Sequence, residues 1–102
     1  VFPTVIFDEI DAGVSGDIAG KVGNVLKKMS EHHQLIAISH LPQIASKATH
    51  QKRVFKITEQ NSTRSQIETL DEEGRVKEIA KMLSDEKITD SALKTAKELM
   101  GI

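Results

Sequence analysis

Two adjacent carboxylates, Asp8 and Glu9, close an apolar run that begins Val5-Ile6-Phe7. A buried strand of a parallel sheet delivers its last side chains to the carboxyl edge, where such folds bind their ligands. There the first carboxylate can hold a magnesium ion, usually through water, because Mg²⁺ keeps part of its hydration shell. The second can orient or deprotonate the water that attacks a terminal phosphate. The run therefore has the form of a Walker B motif. Acidic residues often follow strands, so a strand that simply meets a polar loop is the plain alternative.

Immediately downstream, Asp11-Ala12-Gly13-Val14-Ser15-Gly16 places two glycines and a serine within six residues. Gly13 and Gly16 permit close backbone approach and positive φ. An ordinary turn with Ser15 as a helix cap reads from the same residues, and Asp11 offers a third carboxylate to a metal. A third feature, Ile38-Ser39-His40-Leu41-Pro42, sets a histidine at the end of the next apolar run, about one βαβ unit beyond Asp8. A histidine there can hydrogen-bond a γ-phosphate or the attacking water. His32, His33 and His50 fall in polar connecting stretches and are expected to be solvated.

The elements that must position these residues are legible as patterns. Thr4–Phe7 and Leu35–Ile38 read as buried strands. Between them Ile18, Val22, Val25, Leu26 and Met29 recur at helical spacing, with Ser15 or Asp17 as the cap. Strand, helix, strand with both strands apolar predicts a βαβ unit, hence two parallel strands. Pro42 suits the first turn of a short helix marked by Ile44, Ala45 and Ala48. Val54, Phe55 and Ile57 predict a strand and Ser65–Leu70 its antiparallel return, joined by a longer loop over Glu59–Thr63. Val76, Ile79, Ala80 and Leu83 mark one further helix, supported by Glu73 four residues before Lys77. Leu93, Ala96, Leu99 and Met100 mark the last, with Thr89 or Asp90 as cap and Gly101 as stop.

Composition bounds the function. The 102 residues carry a formal charge of −1, with 38% hydrophobic and 28% charged side chains. They suit one domain over residues 1–102 and argue against wholesale disorder. The chain holds no cysteine, which excludes disulfides and thiolate metal sites and suits a cytosolic protein. No apolar run approaches the ~20 residues that span a bilayer, so no membrane partner is expected. Near-neutral charge leaves no electrostatic footprint for nucleic acid. Residues 1–51 hold 4 Lys/Arg and 5 Asp/Glu, residues 52–102 hold 10 of each, and all four histidines lie in the first half. Val1 opens directly on a strand-like run, as expected of a piece cut from something longer.

No GxxxxGK[ST] phosphate loop occurs in the sequence. The nearest string, Gly16-Asp17-Ile18-Ala19-Gly20-Lys21-Val22, is one residue short between its glycines and has valine where Ser or Thr belongs. Half of a nucleotide site is present, and the element that cradles the β- and γ-phosphates is not.

The string Val5-Ile6-Phe7-Asp8-Glu9-Ile10-Asp11-Ala12-Gly13-Val14-Ser15-Gly16, with Ile38-Ser39-His40-Leu41-Pro42-Gln43-Ile44-Ala45, resembles the C-terminal end of the RecN family of bacterial DNA repair proteins. That family is similar to structural-maintenance-of-chromosomes (SMC) and ABC-type ATPases. The resemblance continues through Arg75–Leu83 and covers nearly the whole chain. It implies an α/β fold: the C-terminal lobe of a P-loop NTPase head of ABC type, with a parallel βαβ core followed by a β-hairpin and C-terminal helices. It makes Asp8 the Walker B magnesium carboxylate, Glu9 the catalytic carboxylate, and His40 the switch histidine that senses the γ-phosphate. Asp11 to Gly16, including Gly13 and Ser15, become the D-loop that crosses to a second ATPase head in a homodimer. The phosphate loop, Q-loop, signature motif and coiled coil would lie upstream of Val1. ATP and Mg²⁺ are then the cofactors of the full-length protein, with none expected on this piece alone. DNA is expected as a partner of the full-length protein, in recombinational double-strand-break repair, and the location is cytoplasmic and nucleoid-associated.

Two other readings start from the same residues. Asp8, Glu9, Asp11 and His40 are ligand types for a small Mg²⁺- or Mn²⁺-dependent phosphoesterase, although three carboxylates within four residues leave no obvious pocket. A non-catalytic interaction module would instead dock a partner on the stripe of Leu93, Ala96 and Leu99, a spacing that normally marks core packing.

Overall fold

The computed structural model describes residues 3–8, 16–84 and 87–102. Strand β1 (Thr4–Asp8) is followed by helix α1 (Gly16–Met29), strand β2 (Gln34–Ile38) and the short helix α2 (Pro42–Ala45). Strands β3 (Gln51–Glu59) and β4 (Ser62–Leu70) come next, then helices α3 (Glu72–Ser84) and α4 (Asp90–Met100). β1 and β2 pair in parallel, Thr4 opposite Gln34 through Asp8 opposite Ile38. The expected βαβ unit is present. β3 and β4 form a separate antiparallel ribbon.

The expectation that β1 and β2 are buried is corrected. Side chains alternate across a strand, so the register sets Ile6, Ile36 and Ile38 on one face of the pair. That face is open, with Ile6 64%, Ile36 46% and Ile38 54% exposed. Parallel sheets are ordinarily covered on both faces. Apolar composition marks strands built for cover, but it does not show whether the described residues supply that cover. On the other face Phe7 and α1 border an open apolar cleft lined by Ile18, Val22, Val25, Leu26 and Met29.

The contact face of α1 also departs from expectation. Its buried residues are Ala19 and Gly23, whereas Ile18 and Val25 are exposed. A Cβ at Gly23 would meet the Gln43 carbonyl oxygen at 2.8 Å and Lys47 Cγ at 3.1 Å. The small-residue side of α1 thus lies against α2, and the larger apolar stripe faces the cleft. Helix α1 starts at Gly16, whose φ of +49° is one that L side chains rarely adopt.

Between β3 and β4 the chain turns on two residues, Gln60 (φ 40°) and Asn61 (φ 71°), with Glu59 opposite Ser62. The expected longer loop is therefore a tight hairpin turn, positive in φ at both central positions. Neither residue is glycine, which hid the turn from the sequence. Across the ribbon Arg53 Nε donates to Glu68 Oε1 at 2.9 Å, and the Arg53 guanidinium lies 4.5 Å from the Phe55 ring centroid.

The core sits between the last two helices. Val76, Ile79 and Ala80 of α3 interlock with Ala92 and Ala96 of α4, and Ala45 of α2 packs against the cluster. Asp71 caps α3 by accepting the Gly74 amide at 2.7 Å. Thr89 caps α4, its hydroxyl accepting the Ala92 amide at 3.0 Å. Gly101 ends α4 in the left-handed conformation (φ 78°), its amide donating to Glu98 O. Both terminal signals of α4 behave as expected, as does the Glu73–Lys77 pair at 3.6 Å.

Candidate functional site

β1 and β2 run in the same direction, and their last paired residues are Asp8 and Ile38. Ser39 and His40 follow directly, so Asp8 and His40 leave the parallel pair at the same carboxyl edge. Both are exposed. Past Ile38 the chain bends through Ser39, whose Oγ accepts the Leu41 amide at 3.1 Å. Leu41 is extended (φ −100°, ψ 129°) and Pro42 opens α2. Proline suits this position because its fixed φ is already helical and the first-turn amide needs no partner. His40 thus rides on a short turn whose two ends are a strand and a helix.

Gly16 is the first residue of α1. Glu9, Asp11, Gly13 and Ser15 lie outside the described residues. Of the predicted set, Asp8 and His40 thus stand at one edge of the parallel pair, and Gly16 opens α1. Of the phosphoesterase ligand set, Glu9 and Asp11 likewise lie outside the described residues. Among the described residues no cluster of three His, Cys, Asp or Glu could hold a metal. A lone carboxylate at a strand end still fits Mg²⁺, which is commonly bound through one or two carboxylates, several waters and substrate phosphates. Asp8 is such a donor.

The other histidines divide. His32 and His50 are exposed, as expected. His33 is half-buried, and its Nδ1 is enclosed with no hydrogen-bond partner, so its expected solvation is corrected. In the turn closing α1 the His32 and His33 amides both donate to Met29 O at 3.1 Å.

Sequence reasoning missed the residues that brace the turn after His40. Helix α2 has Pro42 and Ile44 buried, and it is where the two halves of the chain meet: α1 packs on one side, α3 and α4 on the other. From the α1 side, Lys27 Nζ reaches Lys47 O at 3.5 Å. From the α3 side, Arg75 donates through Nε to Gln51 Oε1 at 3.2 Å and through Nη2 to Ala45 O at 3.4 Å. Burial lowers the Arg75 pKa from its usual value, and the neighbouring Glu72 carboxylate opposes that shift. The guanidinium stays charged at any physiological pH.

Over 98 residues the chain is 44% identical to DNA repair protein RecN of Vibrio cholerae, a match covering 96% of this chain and 18% of that protein. RecN of Rickettsia conorii is 44% identical over 102 residues, 100% of this chain and 19% of that protein. RecN of Haemophilus influenzae is 40% identical over 100 residues, 98% of this chain and 18% of that protein. The chain belongs to the RecN family. It corresponds to the C-terminal part of RecN and spans roughly a fifth of the length of these relatives. No family model matches it. Among solved structures, one from work on ATP-driven dimerization and DNA-stimulated activation of SMC ATPases aligns with TM-score 0.60 and 23% identity. That alignment covers 81% of this chain and 47% of the other. Over the aligned part, the segment thus shares its mixed α/β fold with that structure. No helix among its described residues is long and apolar enough to cross a membrane.

Proposed function

We propose that this RecN-family chain supplies one face of the ATP-hydrolysing site of a DNA repair ATPase, acting in recombinational double-strand-break repair. The observation that carries this reading is the β1–β2 register, which ends Asp8 and the Ser39-His40 turn at one carboxyl edge. Similarity to RecN over the full chain supports it.

Asp8 is the residue that would hold magnesium beside the nucleotide phosphates. When bound, Mg²⁺ supplies positive charge against the phosphates. Glu9, one residue beyond the strand, orients the attacking water and accepts its proton. His40 donates to the γ-phosphate, so that its turn responds to whether a third phosphate is present. The segment Asp11–Gly16 runs to a second head of the same kind, closing the site between two copies. The phosphate loop and signature segment come from the longer protein, as does contact with DNA.

Replacement of Glu9 by Gln in the full-length protein is the direct test. The amide keeps the shape of the side chain but cannot accept the proton. Turnover is expected to fall by about 10²–10⁴-fold while ATP binding is retained. Unchanged turnover would remove Glu9 from the catalytic role.

A further inference from the structure

His40 lies only two residues before α2, and α2 is four residues long. A helix that short has no stiffness of its own beyond a single turn. Its position is set by what grips it, and the grips come from opposite sides. α1 approaches through Gly23, where a Cβ would collide with the Gln43 carbonyl at 2.8 Å. α3 approaches through the Ala45 contact and through Arg75.

Arg75 differs from ordinary packing because its planar fork meets two acceptors on two separate elements. One is the Ala45 carbonyl, in the last turn of α2, at 3.4 Å. The other is the side chain of Gln51, the first residue of β3, at 3.2 Å. Arg75 itself sits in the first turn of α3, its amide bonded to Asp71 O at 2.9 Å beside the Asp71 cap. One half-buried side chain therefore ties α3, the end of α2 and the start of the ribbon. A guanidinium presents donors in fixed directions, whereas a lysine ammonium offers a single compact donor group on a flexible stem.

We propose that Arg75 is a positioning residue for His40: it pins the C-terminal end of α2 and so fixes the turn that carries the histidine, linking the α3–α4 helices to the phosphate-sensing edge. This rests on the reading of His40 as the residue that faces the γ-phosphate. Displacement of α2 toward α1 is blocked at Gly23, and displacement away from it is resisted at Arg75.

The test uses ATP turnover by the full-length protein with His40→Ala, Arg75→Gln, Arg75→Lys, Gly23→Ala, and His40→Ala combined with Arg75→Gln. Arg75→Gln is expected to lower kcat about tenfold with KM for ATP within about twofold, since misplacement of a reacting group acts mainly on the chemical step. Arg75→Lys should recover part of that loss. The double variant should be no slower than His40→Ala alone, the non-additivity expected of residues acting through one group. Gly23→Ala, which crowds α2 from the opposite side, should also lower kcat, and it serves as the second probe if Arg75→Gln yields too little folded protein. Hydrogen exchange over residues 41–51 should rise in Arg75→Gln and not in His40→Ala. A slowed His40→Ala with unchanged kcat in Arg75→Gln and Gly23→Ala overturns the positioning role alone. Losses that multiply in the double variant overturn it too. Unchanged turnover in His40→Ala overturns the reading of His40 and the proposal with it.

Discussion

The two halves of this chain are built on opposite terms. In the half made of β1, α1 and β2, the side chains able to do chemistry stand at a sheet edge, yet Ile6, Ile18, Val25 and Ile38 are all more than half exposed. In the half made of β3, β4, α3 and α4, the ribbon leaves Val54 and Ile67 exposed, but the two helices bury Ile79, Ala80 and Ala96 completely, and no predicted site residue occurs. The candidate site residues and the α3–α4 core thus lie in different segments. The stability of the chain by itself then rests on the α3–α4 core, while the site half presents apolar faces suited to cover from outside the described residues. Helix α2 is the seam between them, buried at Pro42 and Ile44 and bonded to Arg75.

The sharpest break of this comparison is functional. The 102-residue chain alone is expected to show no magnesium-dependent ATP turnover above background, because its sequence has no phosphate loop to pair with Asp8. Release of phosphate by the purified chain, abolished by Asp8→Ala, would show that the site half is self-sufficient and that the division is false.

A second effect compares one isoleucine from each half in urea unfolding of the chain. Ile79 is 0% exposed, so Ile79→Ala should cost about 2–5 kcal/mol, the usual range for a fully buried aliphatic side chain. Ile36 is 46% exposed, so Ile36→Ala should cost less than about 1 kcal/mol. Equal losses would mean that the open face is packed in solution. The same pair in the full-length protein sharpens the point: a rise in the Ile36→Ala cost toward that of Ile79→Ala would show that the longer protein covers this face.

What was legible in the sequence follows the same divide between local and distant causes. Helix limits at Thr89 and Gly101, the strand pair that brackets α1, and the proline at the head of α2 are dictated by nearby residues. They emerged as expected. The Asp8–His40 edge was legible for the same reason, since a βαβ unit has one handedness and one direction. Three features were not. The Gln60–Asn61 turn carries no glycine to announce its positive φ values. The contact face of α1 is made of Ala19 and Gly23, which score low in any search for an apolar stripe although they permit the closest approach. Arg75 reads as one charge among many on an amphipathic helix, and its partners Ala45 and Gln51 lie 30 and 24 residues away. Each depends on a neighbour far off in sequence or on a backbone conformation that its residue type does not advertise.

The smallest effect is local to the closed half and tests whether that half is as self-contained as its packing implies. Thr89 is extended (φ −96°, ψ 160°) and its hydroxyl accepts the Ala92 amide, one of the donors left unpaired at the start of α4. Thr89→Ala removes that acceptor without opening a cavity, because Thr89 is exposed. The expected loss is about 1 kcal/mol. For a domain of this size that corresponds to a fall of roughly 4–8 °C in the thermal midpoint. Ala92 and Ala96 on the following turns belong to the α3–α4 core, so fraying at Thr89 is felt by the cluster that holds the chain together. ATP turnover in the full-length protein should stay within twofold of the parent, because Thr89 touches neither α2 nor Arg75 in any described hydrogen bond. A tenfold loss of turnover on removing this cap would mean that α4, not Arg75, governs the seam.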